Sequence, residues 1–387
     1  MPTPLLTAAG QRRELYVQPG VVQYGRGQAD ELAELLKQMD MVTTVHPLCD
    51  FDELQLGPDG RTLRGGYRFT SYAFFQTAQF IAPGLSKLMP EISGSIQLPD
   101  DREELVDGVL STDLWNKLVD LRFPLFRQTR IIRNEDERTI EGLLGSKAQY
   151  LGNHDLYTQA VEAMETHQPN VSMYAAQLVG RRMSVWFRAA TTMFSALVDG
   201  KQWPVYHGYY FTNGEATGTS VRGSLAVYTP KGMCLGPYKP YGGRVTHTGK
   251  DFYQKLGQMF AKVCSADIPD AQLLEGLYTM VRQELGYSIE MNRAQRKDQT
   301  QLLIHSLSLL GVPKNLAADV VESGLAIGRD LGKENYRPME QVNRLYSSRT
   351  LLDLFIPLLN MSRRVDLSRR EKMEQAAFAM MTGRFLI

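Results

Sequence analysis

Between Asp30 and Met39 the apolar residues Leu32, Leu35, Leu36 and Met39 recur at helical spacing, which predicts a short amphipathic helix. The following stretch, to Arg64, is rich in Pro, Asp and Gly and reads as loop. Tyr72 to Ile81 is apolar enough for a buried helix, with Thr70 or Ser71 as N-cap and Pro83-Gly84 as the breaker. Val106, Leu110, Leu114 and Leu118 then line one stripe of a helix from Glu103 to Leu121. Residues 1–120 therefore read as a mainly helical N-terminal region.

The period changes from 3.6 to 2 after residue 120. Thr129 to Arg133 and Arg138 to Leu144 alternate on either side of a turn at Asn134 to Glu137, the pattern of a hairpin. His154 to Thr166 reads as a helix through Leu156, Ala160, Val161 and Met164. Four further strands are predicted, Val171 to Leu178, Met183 to Ala189, Val205 to Thr212 and Thr219 to Tyr228. Helical spacing returns with Phe252, Leu256, Met259, Phe260 and Val263. It continues through Asp270 to Leu285, Asp298 to Leu310, Lys314 to Gly328, Glu340 to Leu359 and Leu367 to Met381. The expected fold class is α+β: an antiparallel β-meander with a packed helix over residues 121–265, flanked by the helical N-terminal region and an all-helical region at 266–387.

The charge pattern sharpens this division. The whole chain has 43 Lys and Arg against 42 Asp and Glu, a net charge of +1. Residues 1–120 hold 10 cations and 17 anions, residues 121–249 hold 14 and 9, and the remainder 19 and 16. The N-terminal region is acidic and the meander basic, as a polyanion-binding surface requires; a solvated surface with scattered charge is the competing account. No apolar run approaches bilayer length, and Met1 to Arg13 lacks the pattern of a signal peptide. Cys49, Cys234 and Cys264 are widely spaced, which fits a reducing cytoplasm.

Alternation over the strand at 183–189 puts Met183, Val185 and Phe187 on one face and Arg182, Ser184, Trp186 and Arg188 on the other. A Trp between two arginines suits a stacked base with cations for the phosphates, the logic of sequence-tolerant single-strand binders. The alternative is a Trp beneath a covering helix with Arg side chains running over it. Ser220, Arg222, Ser224 and Tyr228 share one side of a later strand, and Tyr206 and Tyr210 alternate similarly, which β-propensity alone also explains. From Gly236 to Lys250 a loop of glycines, aromatics and cations precedes a helix, so Arg244, His247 and Lys250 are candidates for a phosphate grip at its N-terminus. It is not a P-loop, because Gly243 to Gly249 is one residue too long and Asp251 stands where Ser or Thr would hold magnesium. His46 and Cys49 lack the further ligands of a zinc site. Glu135, Asp136, Glu137 and Glu141, at and just after the hairpin turn, read as solvated. No metal, cofactor or catalytic residue is expected.

Several of these patterns occur in an order that resembles the phage and plasmid proteins grouped as domain of unknown function 932. They are Arg138-Thr139-Ile140-Glu141-Gly142 with Tyr150 and Asn153, Gly180-Arg181-Arg182-Met183-Ser184-Val185-Trp186, Thr212-Asn213-Gly214-Glu215 with Gly218 and Ser220, then Arg244 and His247. The chain departs from that family after Cys234, where Leu235-Gly236-Pro237 replaces an Asn-Thr. The resemblance implies a mobile-element origin and a sheet-and-helix arrangement similar to that of phage single-strand annealing proteins. Together with the basic-aromatic strand, it points to a non-enzymatic homo-oligomer of the host-cell cytoplasm that binds single-stranded DNA, or RNA, away from membranes and anneals strands without ATP. The binding residues would be Arg181, Arg182, Trp186, Arg188, Tyr210, Arg222, Arg244, His247 and Lys250. The rival expectation is a structural or host-interaction phage protein with no nucleic-acid activity.

Overall fold

The computed structural model describes residues 16–17, 21–48, 51–58, 62–81, 115–121, 129–145, 147–198, 200–214, 220–286, 291–330 and 349–385. The fold is α+β, with an antiparallel eight-stranded sheet, a mixed five-stranded sheet and a helical C-terminal region. Among the described residues no helix is long and apolar enough to cross a membrane. The breaker at Pro83-Gly84, Cys49, Glu215, Gly218 and the first part of the helices expected from Glu103 and from Glu340 lie outside the described residues.

The smaller sheet draws three of its strands from residues ahead of position 120. Its order is β1 (Tyr16–Val17), β4 (Arg68–Thr70), β6 (Thr139–Leu144), β5 (Arg130–Asn134), β3 (Thr43–Pro47). The hairpin β5–β6 thus completes a sheet begun before residue 120, and the β1–β4 and β4–β6 pairs are parallel. Helix α2 (Ser71–Ile81) packs on it, its start fixed by Thr70 Oγ1, which accepts from the Ala73 N–H at 3.3 Å. The core is aromatic: Phe74 stacks on Trp115 at 5.0 Å, and both meet Phe69.

The larger sheet runs β12 (Gly232–Leu235), β11 (Val221–Thr229), β10 (Lys201–Gly214), β8 (Arg182–Ala189), β7 (Val171–Val179), β2 (Val21–Tyr24). Strands β9 (Phe194–Val198) and β13 (Gly242–Val245) pair with β10 and β11 respectively. Alternation holds as expected: Met183, Val185, Phe187, Phe211, Val221 and Leu225 point into the main core. There they meet Leu156 and Ala160 of α3 (Asn153–His167) and Leu256 and Phe260 of α4 (Phe252–Cys264). Helix α1 (Ala29–Met41) adds Leu32 and Leu36 beside α3. Later helices are α5 (Asp270–Arg282), α6 (Arg293–Leu309), α7 (Lys314–Asp330), α8 (Leu352–Ser362) and α9 (Leu367–Met381). They extend this core, and α9 reaches the opposite face of the sheet, where Leu367 joins Trp186, Tyr210, Ala226, Tyr228, Met233 and Leu235 in a second cluster.

Candidate nucleic-acid interface

The strands assemble six of the nine expected residues, Arg182, Trp186, Arg188, Tyr210, Arg222 and Arg244, on one sheet face. Tyr210 on β10 stands opposite both Trp186 on β8 and Ser224 on β11, while Thr212 stands between Ser184 and Arg222. On the far side of β11, Arg222 lies opposite Arg244 of β13. A single row across the sheet therefore carries Arg244, Arg222, Thr212 and Ser184, with Tyr210 and Trp186 in the next.

Helix α9 covers the centre of that face, which corrects the assignment of Trp186 and Tyr210 as base-stacking groups. Trp186 is 3% exposed and Tyr210 1%. Their rings lie 5.5 Å apart, and the Arg370 guanidinium sits 4.4 Å over the Trp186 ring. The alternative reading of the strand, a Trp under a helix with an arginine over it, is what the structure contains. The apolar area of two large aromatics explains the cover, since leaving it in water would forfeit their burial energy.

Glu371 of α9 organises the polar half of the face. Its Oε1 accepts hydrogen bonds from Tyr210 Oη at 2.7 Å and Arg182 Nη2 at 3.0 Å, and its Oε2 from Arg222 Nη1 at 2.8 Å and Tyr238 Oη at 3.1 Å. Burial opposes the charge of Arg222, but Glu371 and Tyr238 outweigh it and leave the guanidinium above its ordinary value. One turn on, Arg370 Nε donates to Glu374 Oε1 at 2.8 Å. Complete burial pushes the Glu374 carboxyl up to about 7 despite that pairing.

Five expected cationic contacts, Arg182, Arg188, Arg222, Arg244 and Lys250, remain at or near the surface, and two others turn inward. Arg182 and Arg222 are half-buried around Glu371, and Arg244 and Lys250 are exposed. Arg181 is buried against Glu141, 3.7 Å away, so it does not face an external strand, and Glu141 is not solvated as expected. His247 is buried as well, its ring stacked on Phe252 at 5.3 Å and its Nδ1 3.1 Å from the Gln149 carbonyl. Burial lowers its pKa, so it is a neutral structural tie and not a phosphate ligand. Arg188 lies 4.4 Å from the Tyr174 ring and 4.5 Å from the Tyr206 ring, and Tyr174 is 36% exposed.

Sequence reasoning missed α9 as part of the site. Its first turns read Ser368-Arg369-Arg370-Glu371-Lys372, so the helix that buries the aromatics also brings cations to the rim, Lys372 being exposed. The signal was the spacing Leu367, Glu371, Glu374, Phe378, which places two carboxylates on the buried stripe of a helix and demands cationic partners elsewhere. The other motifs also converge. Asn153 Nδ2 donates to the Arg181 carbonyl at 3.3 Å, and Asn213 Nδ2 donates to Asn153 Oδ1 at 3.1 Å and to the Leu151 carbonyl at 2.9 Å. Glu141, Asn153, Arg181 and Asn213 thus form one buried polar cluster where the two sheets meet.

No family model, curated protein or solved structure matches the chain. The functional reading therefore rests on these residues.

Proposed function

We propose that this protein binds single-stranded nucleic acid, DNA in the first instance, through the rim of the β8–β10–β11–β13 face and the N-terminal half of α9. The observation that supports the reading is the concentration of Arg182, Arg222, Arg244, Arg369, Arg370 and Lys372 around one sheet face, where Glu371 holds Arg182 and Arg222, Glu374 holds Arg370, Asp366 holds Arg369, and Arg244 and Lys372 are exposed. Such a surface meets phosphates and releases counterions without reading sequence. Tyr174 beside Arg188 takes the stacking role that Trp186 and Tyr210 are too buried to perform. The activity is binding and strand pairing by a homo-oligomer in the host-cell cytoplasm, without catalysis.

Fluorescence anisotropy with labelled single-stranded and duplex DNA tests this. The expected result is tighter binding of the single strand, a loss of about 1–3 kcal/mol in Tyr174→Ala, and uniform weakening across sequences in Arg244→Glu and Lys372→Glu. No binding at micromolar protein overturns the reading. One observation favours a second, that of an interaction protein: β2 pairs only with β7 among the described strands, and Val21 and Val22 on it are 59% and 41% exposed. Retention of full DNA affinity in both charge reversals would shift the weight to that reading.

A further inference from the structure

The C-terminal end of α1 and the first turn of α3 bring Asp40, His154 and Asp155 together, although 113 and 114 residues separate Asp40 from the other two. One ligand atom from each lies within 4.8 Å of the other two. Asp155 is exposed and the other two are half-buried, so an ion has a path from solvent. Asp40 Oδ1 is fully buried and has no hydrogen-bond partner. The backbone makes room for this carboxylate: a Cβ on Gly152 would stand 2.6 Å from Asp40 Oδ2.

Nearby, Arg181 lies 3.7 Å from Glu141. A carboxylate beside the first turn of α3 gains from the positive end of that helix. Asp155 competes for the same end, however, and the helix leaves Oδ1 of Asp40 unpartnered.

We propose that Asp40, His154 and Asp155 form a binding site for one divalent transition-metal ion, of the Mn2+ or Zn2+ class, that clamps α1 to α3. Two carboxylates with one imidazole suit these ions, whereas Ca2+ and Mg2+ favour all-oxygen shells. Three protein ligands leave positions for water. The site shares no residue with the rim assigned to nucleic acid, and the proposal does not depend on that assignment.

Isothermal titration calorimetry of the untagged full chain with MnCl2 and with ZnCl2 tests it, with Mn2+ electron paramagnetic resonance as an independent count. The expected result is one ion per chain, bound at micromolar concentration and accompanied by a rise in Tm. Asp155→Asn, at an exposed position, and His154→Gln should each weaken binding by at least about 10-fold, a loss seen even for outer-shell changes, while circular dichroism verifies their folding. Absence of uptake at millimolar ion, equal affinity in the wild type and both folded variants, or Ca2+ bound as tightly as Mn2+ would each overturn the proposal.

Discussion

The Trp186 ring is held between Tyr210 and the Arg370 guanidinium, so at the scale of single residues its work is packing. Trp186→Ala should cost about 3–5 kcal/mol of stability, measured by urea denaturation; a variant as stable as the wild type would contradict its placement beneath α9. Glu374 supplies a pH test. Its folded pKa of about 7 lies above the ordinary carboxylate value, so the folded state holds a proton that the unfolded chain releases near 4.5. Its contribution is therefore most favourable below pH 4.5 and is lost as the pH rises through 7, by on the order of 3 kcal/mol in all. Glu374→Gln should flatten the fall in stability between pH 5 and pH 8, and an unchanged slope would contradict the assignment. The residue alternation behind this site was legible: Met183, Val185 and Phe187 point inward, Ser184 and Trp186 the other way. The exposure of Trp186 was not, because period 2 names a face and says nothing of what a helix some 180 residues later lays upon it.

At the scale of elements, legibility followed length and locality. Helices α1, α2, α3, α4 and α9 and the strand pairs β5–β6, β7–β8 and β10–β11 stand close to where periodicity puts them. Strands β1, β2, β3, β4, β9, β12 and β13 went unread. Each has five residues or fewer, too few for a period, and Gly242-Gly243 in β13 reads as loop until β11 lies against it. Helix α6 begins at Arg293, five residues ahead of the expected start, because Asn292 and Gln295 form a capping box with both bonds at 3.0 Å. The seating of α9 depends on Gly276 in α5, where a Cβ would collide with the Met381 carbonyl. Gly276→Ala should therefore destabilise the protein, by about 1–3 kcal/mol for overpacking, although alanine is the better helix former. A gain in Tm would show that α5 and α9 do not approach so closely.

Across the whole molecule, the charge asymmetry of the sequence is redistributed by the fold. Strands β1, β3 and β4 of the acidic N-terminal region join β5 and β6 in one sheet. The basic middle meets cations from α9, which the linear division into three regions assigned elsewhere. Of the nine residues expected to bind nucleic acid, Arg181, Trp186, Tyr210 and His247 are scaffold, while Arg182, Arg188, Arg222, Arg244 and Lys250 keep access to solvent. That partition was hidden because burial is decided by contacts between distant segments, Glu141 with Arg181 and Glu371 with Tyr210 among them.

The central claim is that the rim of this face binds phosphates, and the salt dependence of single-strand affinity measures it most directly. The logarithm of the binding constant should fall linearly with the logarithm of salt concentration, and the Arg244→Ala/Lys372→Ala double variant should lower the slope by about 1.4, at about 0.7 for each lost phosphate contact. A flat salt response in the wild type, or an identical slope in the folded variant, would contradict it.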